Sequence, residues 1–466
     1  MSTFSGLNTA YTGLSAARKG IDVVGQNMAN ANVAGYTRQR LNTSAVAPLA
    51  PMGRFATGTG VGQGVSVDSI ARLGSLQLDA RVRSTAAVAG YSAIRANALI
   101  ELEDSFNEPG KNGLSNALQE FSAAWQGVKN SPGDNVPAAA LLNEANAVAA
   151  QIATGYNAVR DQWNSTRGSL DSMVSELNAS AAQLANLNGA IRSTLASGAS
   201  ANELVDQRNS LATTIAALSG ATVRESADGM VDVLIDGNAL VSGTNVRTLQ
   251  VTGGSSMDDA TAPTVSWTDR PGPSGIGKGE IAGAVSLLAP AANGGVFAAA
   301  AASYNEVAAT LAATVNELHA QGATTAGTTG LAFFAVGSPA ATTLKVVPTD
   351  ASGIAAGTPG AGALDGGIAD KISQLGSKAG SADKVWGAFV TATGSLSRAE
   401  LQQATLADVA SSSAVDLQLS NASVDLDEEN VNLLMYQHAY QGAARVMSAI
   451  DEMLDTLINR TGIVGR

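Results

Sequence analysis

The sequence contains no cysteine and only two histidines, and aromatic residues make up 4% and charged residues 14% of it. Without cysteine there can be no disulfide, thiolate nucleophile or sulfur-ligated metal site. His319 and His438 have neither a second histidine nor a carboxylate three or four residues away, so helical metal-ligand spacing and a supported general base are missing. Both histidines read as packing or surface residues of helices. No Gly-x-Ser-x-Gly elbow occurs either. Long apolar runs are scarce: Ile281 to Asn305 is uncharged but Ala-rich, and Pro290 with Asn293-Gly294-Gly295 divides it, which argues against membrane insertion. The N-terminus lacks the basic and apolar regions of a cleaved signal peptide.

What is present is length and small side chains. A chain of 466 residues exceeds the size of one ordinary core, so several domains are expected. The net charge of −12 argues against nucleic acid as a partner. Ala, Gly, Ser, Thr and Asn let helices approach closely but build few chemical pockets.

The ends carry helical stripes. Phe4, Leu7, Tyr11, Leu14, Ile21 and Met28 follow a heptad-like spacing, and Leu433, Tyr436, Tyr440, Ala443, Met447, Ile450, Leu454 and Leu457 alternate steps of three and four. Each stripe is a seam for another helix. Asp425 and Glu428 form a capping-box pattern, with Asp427 and Glu429 adding favourable charge at the helix start. Residues 1–40 carry Arg18, Lys19, Arg38 and Arg40 against Asp22, a balance of +3, whereas residues 425–466 balance at −4. Opposite charge favours pairing the two ends.

Between them, residues 41–220 with 276–335 and 381–424 read as a helical body of long antiparallel helices, broken at Asn107-Glu108-Pro109-Gly110 and Asn130-Ser131-Pro132-Gly133. Val61, Val65 and Val67 alternate after a Gly-rich run and suggest an extended hairpin. Residues 221–275 shift to period two around Asp236-Gly237-Asn238 and read as a small β domain. Residues 336–380 read as a Gly/Ala/Thr-rich loop or small β insertion. The fold class expected is mainly α with β insertions: a long helical bundle, discontinuous terminal helices forming a coiled-coil-like inner region, and a small β domain.

No catalytic constellation emerges. Gly58-Thr59-Gly60-Val61-Gly62-Gln63-Gly64 lacks the spacing of a phosphate loop and reads as a turn into a strand. The acids Asp425, Asp427, Glu428 and Glu429 lack an EF-hand glycine and closing glutamate. Asp206 and Arg208 read as a solvated helix turn. No cofactor or metal is expected.

Gln26-Asn27-Met28-Ala29-Asn30-Ala31-Asn32-Val33-Ala34-Gly35-Tyr36-Thr37-Arg38 resembles the signature of the axial flagellar proteins of rod, hook and hook–filament junction, in which Asn27, Asn30, Asn32, Gly35, Tyr36, Thr37 and Arg38 are the motif positions. Met28 and Val33 replace the usual Ile and Thr. The Tyr36-Thr37-Arg38-Gln39 continuation points to the hook-associated branch, and Ser423 to Glu429 followed by Tyr436, Tyr440 and Arg445 resembles the family's C-terminal helix. The resemblance implies a non-enzymatic flagellar component, exported by the flagellar type III pathway without a cleaved signal. It further implies a homo-oligomeric ring at the hook tip that touches hook protein and hook-associated protein 3, and an export chaperone at the C-terminal helix. The alternatives are another axial subunit, such as hook-associated protein 3 or a flagellin-like protein, and a secreted enzyme on an Ala-rich scaffold.

Overall fold

A computed structural model describes residues 3–48, 62–226, 228–259 and 261–460. It opens with α1 (Thr3–Asn30), followed by the antiparallel pair β1 (Gln39–Ala45) and β2 (Val65–Arg72). Val61 and most of the Gly-rich run before β2 lie outside the described residues. The body then begins with α2 (Leu76–Ser105), α3 (Leu114–Asn130), α4 (Asn135–Ala196) and α5 (Asn202–Ser219). With 62 residues, α4 runs roughly 93 Å and is the spine of the molecule.

Local sequence explains where these helices start. Ser75 accepts a hydrogen bond from the Leu78 amide to begin α2, and Asp134 accepts one from Val136 to begin α4. Each side-chain oxygen satisfies an amide that has no partner within its helix. Gly220, at a φ of +68°, ends α5 and turns the chain into the first sheet.

That sheet has the order β3 (Thr222–Glu225), β4 (Val231–Ile235), β5 (Asn238–Ser242) and β6 (Asn245–Val246), and a separate hairpin joins β7 (Leu249–Thr252) to β8 (Thr264–Trp267). Along β4 the alternation is realised, since Val231, Val233 and Ile235 are buried. The strands lie on α4. Asn188, wholly buried, donates to the Val231 and Gly243 carbonyls and accepts from the Val231 amide, while Asn178 does the same for both backbone groups of Leu249. Their apolar side chains join the core cluster of the helices.

The uncharged 281–305 stretch divides into α6 (Gly279–Leu287) and α7 (Val296–Ala320), with the predicted break between them. No helix among the described residues is long and apolar enough to cross a membrane. After α7 come the short pair β9 (Phe334–Ala335) and β10 (Lys345–Val346), which flank α8 (Ala340–Thr343), then α9 (Gly367–Ser373) and the long α10 (Ala382–Ala422) and α11 (Leu426–Asp455). The expected class, mainly α with small β insertions, is the class observed.

One continuous core runs from Leu99 to Trp386 and is anchored by Trp125, Trp163, Phe297, Phe333 and Trp386. Neither α1 nor α11 contributes to it. His319 does more than pack. Its ring packs edge-on against Trp125 and Phe333, Nε2 accepts from the Ala355 amide at 2.9 Å, and Nδ1–H must therefore donate to the Leu331 carbonyl at 2.8 Å. This neutral tautomer ties residues 331–355 to α7.

Burial holds the His319 ring below its ordinary value of 6.5. Because the folded state keeps the ring neutral, its contribution to stability is present above the unfolded value and is lost as pH falls below it. Thermal unfolding followed between pH 7.5 and 5 should show that loss, and His319→Gln, which keeps a donor and an acceptor, should flatten it. His319→Leu, which strands both backbone partners, should cost about 1–3 kcal/mol at neutral pH.

Candidate assembly interface and its polar hub

The two terminal helices pair in antiparallel fashion, but the tightest line on α1 is made of small side chains. Gly6, Ala10, Gly13, Ala17, Gly20, Val24 and Asn27 alternate steps of four and three. Ala10, Ala17, Val24 and Asn27 are buried. A Cβ on Gly20 would sit 2.5 Å from the Tyr436 ring, and one on Gly6 would sit 3.2 Å from Ile450. Gly20 is required because the tyrosine ring occupies the space a side chain would need.

The large residues of the α1 stripe lie to one side of this line. Leu7, Leu14, Ile21 and Met28 are half-buried, whereas Phe4 and Tyr11 are 69% and 60% exposed. On α11, Leu433, Tyr436, Met447, Ile450 and Leu454 share the half-buried face and Tyr440 is exposed, as is Leu457 just beyond the helix. A second face of α11 bears Val431, Leu434, Met435, Val446 and Met453, all more than half exposed.

The pair meets the body at the signature motif. After α1 the chain turns through Asn32 and Val33, and Gly35 takes a φ of +80°, a backbone state that side chains resist. This reversal delivers Tyr36 to Gln39 back against α1. Asn27, 1% exposed, uses its whole hydrogen-bonding capacity there. Its Oδ1 accepts from the Tyr36 hydroxyl at 2.9 Å and the Gln39 amide at 3.0 Å, and its Nδ2 donates to the Gln39 carbonyl at 2.8 Å and to Glu429 at 3.2 Å.

Glu429 is 2% exposed, so its carboxylate needs charge and hydrogen bonds in place of water. Arg38 supplies both, with Nε 2.7 Å from Glu429 and Nη1 2.6 Å from Glu428. Burial alone would lower the pKa of the Arg38 guanidinium, but the hydrogen bonds it donates to these acids and their negative charge outweigh it, and the pKa is raised. Asp425 remains the helix cap, accepting from the Asp427 and Glu428 amides.

A second half of the hub faces α5. Asp206 accepts from the Thr37 amide at 3.0 Å and from Arg72 at 2.5 Å, and Gln39 bridges Glu203 and Asn202. Asp206 and Arg208 are therefore not a solvated turn: they are 7% and 3% exposed, and Arg208 donates to the Gly229 carbonyl at 2.6 Å. Period alone could not place them inward, because their partners lie in other segments. Burial first, then Glu203, Asp206 and Glu429, push the Tyr36 hydroxyl up to about 12, so it stays protonated and donating. Asn30 bonds the Gln26 carbonyl of its own helix, and Asn32 sits exposed in the turn. Grooves of about 810, 530 and 420 Å³ flank this hub. Directed bonds therefore set the angle of the terminal pair where dense packing is interrupted.

Asn27→Leu removes four bonds at once and leaves the Gln39 backbone groups without those partners. The core is untouched, so calorimetry should keep its main transition near the parent temperature. Helicity and protease resistance of α1 and α11 should fall. Glu429→Gln removes the charge and leaves only one of the two acceptors, so its NH2 faces the donor of either Arg38 or Asn27, and helicity and protease resistance of the terminal pair should fall here too; unchanged values in this variant would show that the buried carboxylate does not hold the pair in place.

Three family models match segments of the chain. Residues 99–334 match the family model described as "Flagellar hook-associated protein FlgK helical domain". Residues 7–37 match "Flagella basal body rod protein", and residues 418–460 match "Flagellar basal body rod FlgEFG protein C-terminal". Flagellar hook-associated protein 1 of Bacillus subtilis (strain 168) is 27% identical over 506 residues, covering 100% of both chains. The protein of the same name from Salmonella typhimurium is 29% identical over 266 residues, covering 56% of this chain and 47% of that one. A solved flagellar hook junction protein FlgK from Burkholderia pseudomallei overlays on 56% of this chain and 47% of that chain, at 23% identity and a TM-score of 0.45. The sequence matches carry the assignment: with half of its length fitted by the helical-domain model and both ends by rod-family models, the chain belongs to the flagellar hook-associated protein FlgK family.

Proposed function

We propose that the chain is a structural subunit of the bacterial flagellum that joins hook to filament, with residues 1–40 and 425–466 as the assembly unit. The observation that carries this reading is the isolation of the α1–α11 pair from the core together with the exposed large apolar residues on both helices. Exposed apolar surface of this extent on one rod marks a protein interface. Neighbouring copies at the hook tip close it into a homo-oligomeric ring, which contacts hook protein on one side and hook-associated protein 3 on the other. Before assembly, an export chaperone covers the C-terminal helix, and the chain leaves the cell through the flagellar type III pathway. The role is non-enzymatic and calls for no cofactor, membrane or nucleic acid.

The test uses cells that build hooks but shed filament protein for lack of this subunit. The parent chain should restore attached filaments. Val446→Asp with Met453→Asp places charge where the monomer leaves side chains 52% and 55% exposed, so folding and secretion should be unchanged. Each buried apolar side chain contributes about 1.5–3 kcal/mol to a contact, and its replacement by a carboxylate also costs desolvation. Filaments should then be lost to the medium. Attached filaments in the double variant would overturn the assignment of this helix pair to assembly.

A further inference from the structure

Behind the hub, where α2 meets α5, two buried arginines are left without an acid of their own. Arg72 serves Asp206 and Asp79. Asp79, 3% exposed, also accepts from Asn209 of α5 and Gln418 of α10, so both of its oxygens are taken. Arg83 lies four residues further along α2, on the same face as Asp79, and Arg208 precedes Asn209 on α5. They are 9% and 3% exposed. Among the described residues no carboxylate lies within ion-pair distance of either guanidinium, and Arg83 donates no hydrogen bond. Arg208 uses Nη1 on the Gly229 carbonyl, and its buried Nε has no partner.

The two groups are close enough to act on each other. Burial holds the Arg208 pKa below its ordinary value, Glu225 opposes that shift, and Arg72 and Arg83 add to it. Burial lowers Arg83 likewise, with Asp79 and Glu225 opposing and Arg72 adding. Glu225 is thus the acid nearest to both that no cation engages. It ends β3 on the face that carries Val223, and it is exposed to water. Two like charges taken out of water are costly unless negative charge reaches them, and one solvated carboxylate beyond bonding distance supplies little of it.

We propose that Arg83 and Arg208 form a binding site for a small tetrahedral oxyanion of the phosphate class, held between α2 and α5 beside the end of β3. Guanidinium forks match phosphate oxygens in pairs. Two forks from two helices present more N–H groups than the two oxygens of a carboxylate can accept, whereas the four oxygens of phosphate bond both forks at once. Glu225 stands at the edge of the site as a competitor. A bound oxyanion also relieves the repulsion on Arg72, the cation that holds Asp206 against the Thr37 amide, so its binding is coupled to the attachment of the terminal pair.

The test titrates the purified full chain with inorganic phosphate by calorimetry, at an ionic strength kept constant with sodium chloride. Phosphate stabilises proteins in general by exclusion from their surface, without saturating, so the saturable heat is the readout. It should appear with phosphate and with sulfate, and acetate should not reproduce it. Arg83→Met keeps the apolar stem and removes the charge, and the loss of charge-assisted bonds should weaken binding about tenfold or more. Glu225→Gln removes the competing carboxylate and should tighten binding. Absence of saturable phosphate binding by the parent would overturn the site, as would undiminished binding by a folded Arg83→Met. Should Arg83→Met not fold, Glu225→Gln decides alone: tighter binding supports the site, and equal or weaker binding overturns it.

Discussion

The carboxylate of Glu429 is taken out of water 391 residues away in sequence from the arginine that neutralises it. Everything at the hub follows from satisfying that group. Burying a carboxylate without a partner would cost several kcal/mol, so Arg38 has to be present, and Arg38 in turn is held because its amide donates to the Ala422 carbonyl at the end of α10. Asn27 fills the remaining Glu429 oxygen and at the same time clamps both backbone groups of Gln39. A serine is too short to do this, and a leucine offers neither donor nor acceptor. Asn27, Tyr36, Arg38 and the Thr37 amide of the motif thus close the two ends of the chain onto its body.

Polar closure and apolar core divide the labour. The core from Leu99 to Trp386 is continuous and aromatic at its centre, and the β3–β6 sheet and the β7–β8 hairpin rest on it through Asn188 and Asn178 of α4. The terminal pair instead packs along a glycine–alanine line that buries little surface per residue. Small side chains on α1 let Tyr436 and Ile450 of α11 come close, but Phe4 and Tyr11 of α1 and Val431, Leu434, Met435, Val446 and Met453 of α11 stay exposed. An isolated pair of helices of 28 and 30 residues with such a seam gains only modest stability from packing, so the hub and further partners have to supply the rest. The architecture therefore leaves the strongest apolar surface free at the end where copies can meet.

Much of this was legible before the fold was known. Asp236-Gly237 marked the β hairpin because both residues adopt positive φ, and Pro290 marked the break between α6 and α7 because it cannot continue a helix. The heptad on α11 marked Tyr436 and Ile450, which face α1. The line on α1 was not legible in the same way. A search for large apolar residues finds Phe4 and Tyr11, whereas the partner helix approaches where side chains are absent, at Gly6, Gly13 and Gly20. Asp206 escaped for a different reason: its partners, Thr37 and Arg72, belong to a turn and a strand, and no helical period encodes a contact across 169 residues. His319 was placed on a helix, but its two backbone partners lie in loops whose positions only the folded core determines.

Sequence separation also explains why the hub belongs where it does. Pairing α1 with α11 from a free chain closes a loop of about 400 residues, whose length-dependent entropy cost is about 5 kcal/mol. The seam between small residues offers little to offset that cost. Once the body is folded, however, β1 and β2 hold Arg38 beside α5 through Asp206 and Arg72, and the end of α10 presents α11 beside it. The effective loop is then a few residues on each side of the Arg38–Glu429 pair, and each turn of α1 that forms along α11 closes only a short distance. Ordering thus spreads outward from the hub toward Phe4 and Leu457, so that the residues farthest from the core are those whose position depends most on what else they touch.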